Sequence, residues 1–120
     1  MQTVTAARDR ASNRSGHATP NPLIDSLRFE VWLKSKRRSE LVGEPRDGKR
    51  CPLANFILSE QQAEFVNLPD EVGFVVDGQF FLLPDWASDF IHRIDGTRRA
   101  EIPMWMALSV LEASRPTDFL

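Results

Sequence analysis

The chain has 120 residues, of which 42% are hydrophobic and 27% charged, as is typical of one globular domain. No window approaches the roughly 20 apolar residues of a membrane-spanning helix, and no apolar run follows the N-terminal charges as it would in a secretory signal. The single cysteine and the widely separated His17 and His92 exclude an internal disulfide and a cysteine-rich zinc site, so we expect no metal, no cofactor, no membrane and a reducing, cytoplasmic setting.

The net charge of −2 hides an asymmetry between the two halves of the chain. Residues 1–50 carry 11 Lys and Arg against 6 Asp and Glu, a balance of +5, whereas residues 51–120 carry 4 against 11, a balance of −7. One explanation is a face that binds a polyanion. The other is a fold in which two halves with complementary charge pack together.

Residues 1–20 are predicted to be a flexible N-terminal tail, and residues 21–120 a single domain. The tail is rich in Ser, Thr, Ala and Arg and has almost no large apolar side chain, so it cannot bury enough surface to become ordered. An organelle-targeting segment is the alternative, because Arg and Ser are abundant there and acids are scarce.

The first helix is predicted to begin near Asn21, because Asn is a good N-cap and Pro22 suits the first helical position. Its apolar residues lie on more than one side: Leu23, Ile24, Leu27 and Val31 form one stripe at helical spacing, and Phe29, Trp32 and Leu33 lie elsewhere. A helix with nearly two apolar faces is either central in the fold or shared with a partner.

Seven basic residues against three acids follow between positions 34 and 50. They predict, as an alternative function, sequence-nonspecific nucleic-acid binding. The plainer explanation is a solvated helix end, where cations are favourable, followed by a loop. The candidate contacts are Lys34, Lys36, Arg37, Arg38, Arg46, Lys49 and Arg50.

The segment from Gly43 to Lys49 also satisfies the phosphate-loop pattern G-x-x-x-x-G-K. The position that should be Ser or Thr is Arg50, and two acids lie inside the loop, so we do not expect nucleotide binding. Pro52 then reads as the first residue of a second helix with Cys51 as its N-cap, and with Leu53, Phe56 and Ile57 on the buried side.

Cys51 is the only candidate nucleophile. It is predicted to lie at a helix N-terminus beside Lys49 and Arg50, where positive potential would favour the thiolate. His92 is the only candidate base in the predicted domain, and no spacing signature links it to Cys51. A thiol-dependent enzyme is therefore a second alternative, against a cysteine that merely caps a helix.

The stretch EVGFVVDGQFFLLP predicts a β-hairpin, because Asp77-Gly78 separates two apolar runs. The turn sets the register, in which Val76 faces Gln79, Val75 faces Phe80 and Phe74 faces Phe81. Both faces of this hairpin are apolar, so we expect both to be covered, by helices or by another chain. The stretch AEFVNL is predicted to supply a third strand.

Two further helices are predicted after the hairpin. The third begins at Pro84-Asp85 and ends at Gly96, and the fourth begins at Pro103. The third buries one stripe, while the fourth is apolar nearly all round, which indicates burial or a partner. The buried stripe of the third helix is Trp86, Phe90, Ile91 and Ile94, and one face of the fourth is Met104, Leu108 and Leu111.

Together these elements predict an α+β fold in which about four helices pack around a small antiparallel sheet centred on the Asp77-Gly78 hairpin. We expect a small accessory or regulatory protein that acts without catalysis, by binding another protein or by self-association, because apolar faces are in surplus and catalytic groups are scarce. The candidate partner-binding residues are Trp105, Met106, Val110 and Trp32.

Overall fold

A computed structural model describes residues 19–20 and 25–115. Its four helices and two small sheets confirm the predicted α+β class. Within this part of the chain, no helix has the length and apolar character needed to cross a membrane. The helices are α1 (Ser26–Lys34), α2 (Pro52–Gln61), α3 (Asp85–Asp95) and α4 (Met104–Ser114). The strands are β1 (Thr19–Pro20), β2 (Leu41–Gly43), β3 (Val66–Asn67), β4 (Gly73–Val76), β5 (Gln79–Leu82) and β6 (Ile102–Pro103).

The larger sheet has the strand order β1-β5-β4-β3. The β4–β5 hairpin confirms the predicted register, with Val76 opposite Gln79 and Phe74 opposite Phe81. Both turn residues have positive φ, 47° at Asp77 and 88° at Gly78, as a two-residue turn that matches strand twist requires. The predicted third strand is also present as β3, antiparallel to β4. The two-residue strand β1 runs parallel to β5, whereas the rest of the predicted tail lies outside the described residues.

The two faces of this hairpin differ, because helices of the described chain cover only one of them. Phe74 and Leu83 on the inner face are buried, because α-helices pack against that side. On the outer face, Phe80 and Leu82 remain 43% and 37% exposed. The Phe80 ring lies across Gly73, where an added Cβ would come within 2.2 Å of the ring. The apolar outer face is therefore open in the described part of the chain.

Helix α1 begins later than predicted and buries one of its two apolar faces. Its N-cap is Asp25, whose side chain accepts a hydrogen bond from the backbone N–H of Arg28 at 3.0 Å. Phe29 and Leu33 are fully buried, whereas Leu27 and Val31 of the predicted stripe point outward. The expected cap at Asn21 and the other members of that stripe, Leu23 and Ile24, lie outside the described residues.

Phe29 is the centre of the core. Its ring centroid lies 5.1 Å from that of Phe56 in α2, and 5.9 and 5.0 Å from those of Trp86 and Phe90 in α3. Aromatic pairs at these separations stabilise a fold beyond the area that they bury. The predicted buried sides of α2 and α3 are confirmed by the burial of Leu53, Phe56, Ile57, Phe90, Ile91 and Ile94.

A second sheet of two short strands was not predicted. Strand β2 pairs antiparallel with β6, with Leu41 opposite Pro103. The contact continues beyond the strands, because Met104 N–H donates to the Glu40 carbonyl at 2.8 Å and Trp105 N–H donates to the Arg38 carbonyl at 3.1 Å. The first part of the basic segment is thereby fixed to the start of α4.

Asp77 is expected to contribute to stability through its side chain as well as its backbone. Its carboxylate Oδ1 accepts from the backbone N–H groups of Glu64 and Phe65, at 3.1 and 2.8 Å. Asp77→Ala should lower the free energy of unfolding by about 1–2 kcal/mol, because both donors lose their acceptor. Asp77→Asn should change it by less than about 0.5 kcal/mol, because the amide oxygen can still accept and Asn tolerates positive φ.

Urea denaturation of the two variants and the unmodified chain provides the measurement. Equal destabilisation by Ala and Asn would contradict the role given to the Asp77 oxygen.

Candidate functional site

An open cleft of about 590 Å³ lies between the β2–α2 loop, the β3–β4 connection and α3. Leu68, Pro69, Val72 and Ile91 make its apolar walls, and Cys51 lies at its inner end. Four carboxylates surround the cleft, and one arginine, Arg46, accompanies them. The carboxylates belong to Asp47, Asp70, Glu71 and Asp95.

Each of these carboxylates has a structural partner. Asp70 accepts from the backbone N–H groups of Val72 and Gly73, Asp47 accepts from Lys49 N–H, and Asp95 accepts from Arg46 N–H at 2.7 Å. Glu71 pairs with His92 Nδ1 at 2.9 Å. Within residues 25–115, no three His, Cys, Asp or Glu side chains are placed to hold a metal ion. The acids therefore serve to shape the loops around the cleft.

Cys51 is the N-cap of α2, as predicted, with its Sγ accepting from Ala54 N–H at 3.4 Å. Only 4% of the residue is exposed. Burial raises the pKa of the Cys51 thiol from its ordinary value of 9.0 to about 11. The expectation that nearby cations favour the thiolate is therefore wrong, because desolvation outweighs them and Asp95 and Asp47 oppose them.

His92, the predicted base, lies on the solvent side of α3 with a side chain that is 72% exposed. Its hydrogen-bond partner is Glu71, and in the described chain no hydrogen bond links it to the thiol of Cys51. Within residues 25–115, His92 and Cys51 therefore have separate hydrogen-bond partners.

The basic residues of segment 34–50 are dispersed among different neighbours. Lys34 pairs with Glu30 at 2.7 Å, Lys36 lies over the Trp32 ring at 4.7 Å, and Lys49 lies over Phe65 at 5.5 Å. Three arginine side chains of the segment are exposed and have no ion-pair partner within residues 25–115. They are Arg37, Arg38 and Arg50.

Arg46 has a structural role that the sequence did not indicate. Its guanidinium donates to the backbone carbonyls of Asp95, Thr97 and Arg99, and its own N–H is bound by the Asp95 carboxylate. The residue adopts a positive φ of 62°, which is uncommon outside glycine. Arg46 thus fixes the β2–α2 loop to the connection between α3 and β6, and its hydrogen bonds are already used within the chain.

The predicted partner-binding residues do not form one surface. Met106 and Val110 are partly buried against the core, and Trp32 packs on Phe29 at a centroid distance of 6.1 Å. Trp105 is 38% exposed at the start of α4. The fourth helix is therefore apolar on most sides mainly because it packs against the core.

A different apolar surface is open on α1. Leu27 and Val31 are 66% and 69% exposed, and they line a groove of about 500 Å³ together with Trp32. The rim of the groove carries an ion pair between Arg28 and Glu60 at 2.6 Å. The two apolar sides of the helix were the signal for this surface, although the sequence did not indicate which of them is buried.

Comparisons with protein-family models, with curated proteins and with solved structures found no match to this chain.

The burial of Cys51 predicts slow alkylation. At neutral pH the raised pKa lowers the thiolate fraction roughly a hundredfold, and burial restricts access further. Iodoacetamide should therefore modify the folded chain at least about a hundredfold more slowly than the urea-unfolded chain. Because the folded state holds this proton more tightly, its contribution to stability is present below the ordinary pKa of 9.0 and is lost as the pH rises towards about 11.

Alkylation is followed by mass spectrometry, and stability by urea denaturation across the alkaline range with Cys51→Ala as control. A folded chain that reacts as fast as the unfolded one would refute the structural assignment and restore the thiol as a nucleophile.

Arg46 and Arg50 offer a matched pair for separating support of the fold from surface charge. Arg46→Ala should lower the free energy of unfolding by about 1–2 kcal/mol, because three carbonyls lose a donor that the rest of the chain does not replace. Arg50→Ala should stay within about 0.5 kcal/mol, since its side chain is exposed. Thermal or urea unfolding of both variants measures the two free energies of unfolding. Equal values for Arg46→Ala and Arg50→Ala would contradict the role of Arg46.

Proposed function

We propose that this chain is a small, non-catalytic accessory protein of the cytoplasm that binds another protein through the outward face of α1. The face consists of Leu27, Val31 and the adjoining groove that Trp32 lines, with Arg28 and Glu60 at its rim. The ligand that fits it is the apolar side of an amphipathic helix, which places side chains at helical spacing into such a groove.

The exposure of Leu27 and Val31 is the observation that supports the proposal. Helix α1 already has a complete buried face in Phe29 and Leu33, so its stability does not require apolar residues opposite them. Leu27 and Val31 are two large aliphatic side chains about one turn apart on the solvent side of α1, and Trp32 lines the groove beside them. Such an exposed apolar patch with charged residues around it resembles the apolar centre and polar rim of a protein interface.

The cytoplasmic setting and the lack of catalysis are part of the same proposal. A lone thiol that is buried and protonated suits a reducing compartment. The described chain places no base next to it. The acids of the cleft are engaged in loop hydrogen bonds, which favours binding over chemistry.

Val31→Glu tests the surface. The substitution should leave the free energy of unfolding within about 0.5 kcal/mol, because the site is exposed on a helix. It should weaken partner binding or self-association at least about tenfold, because a charge would be buried in the apolar centre of the interface. Val72→Glu is the matched control, since Val72 is 60% exposed on the β3–β4 connection and receives the same chemical change.

Size-exclusion chromatography with light scattering over a range of concentrations measures self-association. Affinity capture with the two variants side by side identifies any protein that requires the α1 face. The proposal fails if the chain is monomeric at all concentrations and if every captured protein is retained equally by Val31→Glu and Val72→Glu.

A further inference from the structure

Arg38 and Arg99, which lie far apart in sequence, both contact Trp105, the second residue after strand β6. Arg37-Arg38 precedes β2, and Arg98-Arg99 precedes β6. The Arg38 carbonyl accepts from Trp105 N–H at 3.1 Å, and the Arg99 guanidinium lies 5.7 Å from the centre of the Trp105 ring. All four arginines are exposed. We call the set Arg37, Arg38, Arg98, Arg99 and Trp105 the arginine corner.

The corner is held firmly for a surface feature. Its first arginine pair is tied to α4 by the backbone hydrogen bonds at Arg38 and Glu40. Its second pair is held from behind by Arg46, whose guanidinium donates to the Arg99 carbonyl at 3.1 Å. Arg46 is one of the predicted nucleic-acid contacts. In the structure it fixes the main chain that carries Arg98 and Arg99, and its guanidinium is used in that contact.

Few acids offset this charge. Glu40 accepts from the backbone N–H of Arg37 at 3.2 Å, so its carboxylate is turned to the adjacent main chain. Glu101 is exposed between Arg99 and β6. The segments 37–40 and 98–101 together carry four arginines and two acids, whereas the chain as a whole carries a net charge of −2.

We infer that the arginine corner binds single-stranded nucleic acid without sequence preference, with arginines on phosphates and a base stacked at Trp105. Guanidinium groups pair bidentately with phosphate and also stack on aromatic planes. Single-strand binding sites combine such cations with an aromatic ring on which a base can stack. The corner has both components, and a base can stack on an arginine guanidinium plane, such as that of Arg99 over Trp105, as well as on an aromatic ring.

This assignment differs from the one that the sequence suggested. Segment 34–50 alone has cations but no free aromatic ring, and its Lys34, Lys36, Arg46 and Lys49 contact acids, aromatic rings or carbonyls of the same chain. The corner retains only Arg37 and Arg38 from that segment and adds a pair from the acidic half. It is also distinct from the α1 face, because none of its residues borders that groove.

The test is fluorescence anisotropy with a labelled oligothymidylate of about 20 nucleotides, which has bases but little structure of its own. Arg38→Glu/Arg99→Glu should weaken binding at least about tenfold, and Trp105→Leu should weaken it about tenfold while Trp105→Phe retains most of it. The logarithm of the affinity should fall with the logarithm of the salt concentration with a slope of about −3, as for about four phosphates.

Lys49→Glu/Arg50→Glu is the matched control, because it reverses the same number of charges within the basic segment but outside the corner. Its affinity should stay within about threefold of the unmodified chain, since only the screened long-range charge changes. Val31→Glu should have no effect, which keeps this test independent of the proposed protein interface.

Three outcomes would overturn the inference. One is no binding of the oligonucleotide at low salt. Another is equal weakening by the two double variants, which would mean diffuse attraction by charge. The third is that polyglutamate of similar length displaces the oligonucleotide and binds with the same affinity, which would assign the corner to an acidic protein. Tighter oligonucleotide binding that depends on Arg38, Arg99 and Trp105 is the supporting result.

Discussion

The packing of Phe29 between α2 and α3 is the contact on which the rest of the structure depends. Its ring contacts the rings of Phe56, Trp86 and Phe90, so one side chain joins three helices. Successive residues of an α-helix are rotated by about 100°, so placing Phe29 and Leu33 inward turns Leu27 and Val31 to the solvent. The burial of Phe29 and Leu33 and the exposure of Leu27 and Val31 are therefore consequences of one helix orientation.

Local features of this structure could be read from the sequence because neighbouring residues decide them. The Asp77-Gly78 turn fixes its own strand register, and Cys51-Pro52 marks a helix start by the chemistry of capping and by the missing N–H of proline. The start of α1 was harder, because Asn21-Pro22 and Asp25 are both acceptable caps and only packing decides between them. The sequence likewise could not indicate which apolar side of α1 is buried, because only packing decides between the two sides.

Features that join distant parts of the chain could not be predicted. Pairing of β2 with β6 involves only a few residues on each side and has no hydrophobic alternation to signal it. The fork of hydrogen bonds from Arg46 depends on carbonyl groups, which every residue possesses and which leave no mark in a sequence. The pKa of the Cys51 thiol is raised by burial, whereas its basic neighbours in the sequence predicted a lowered pKa. Charges can be counted along the chain, but desolvation depends on the whole fold.

The contact between Phe80 and Gly73 limits the apolar surface that the outer face of the β4–β5 hairpin exposes. The missing side chain at position 73 leaves a space on the outer face of the hairpin, and the Phe80 ring fills it by lying flat across the strand. Any larger residue at position 73 would push the Phe80 ring into the solvent, and the exposed apolar area next to Leu82 would grow. The edge strands of this sheet, β1 and β3, have only two residues each. Gly73 therefore keeps the exposed apolar area of this face small, which lowers its tendency to associate with other apolar surfaces.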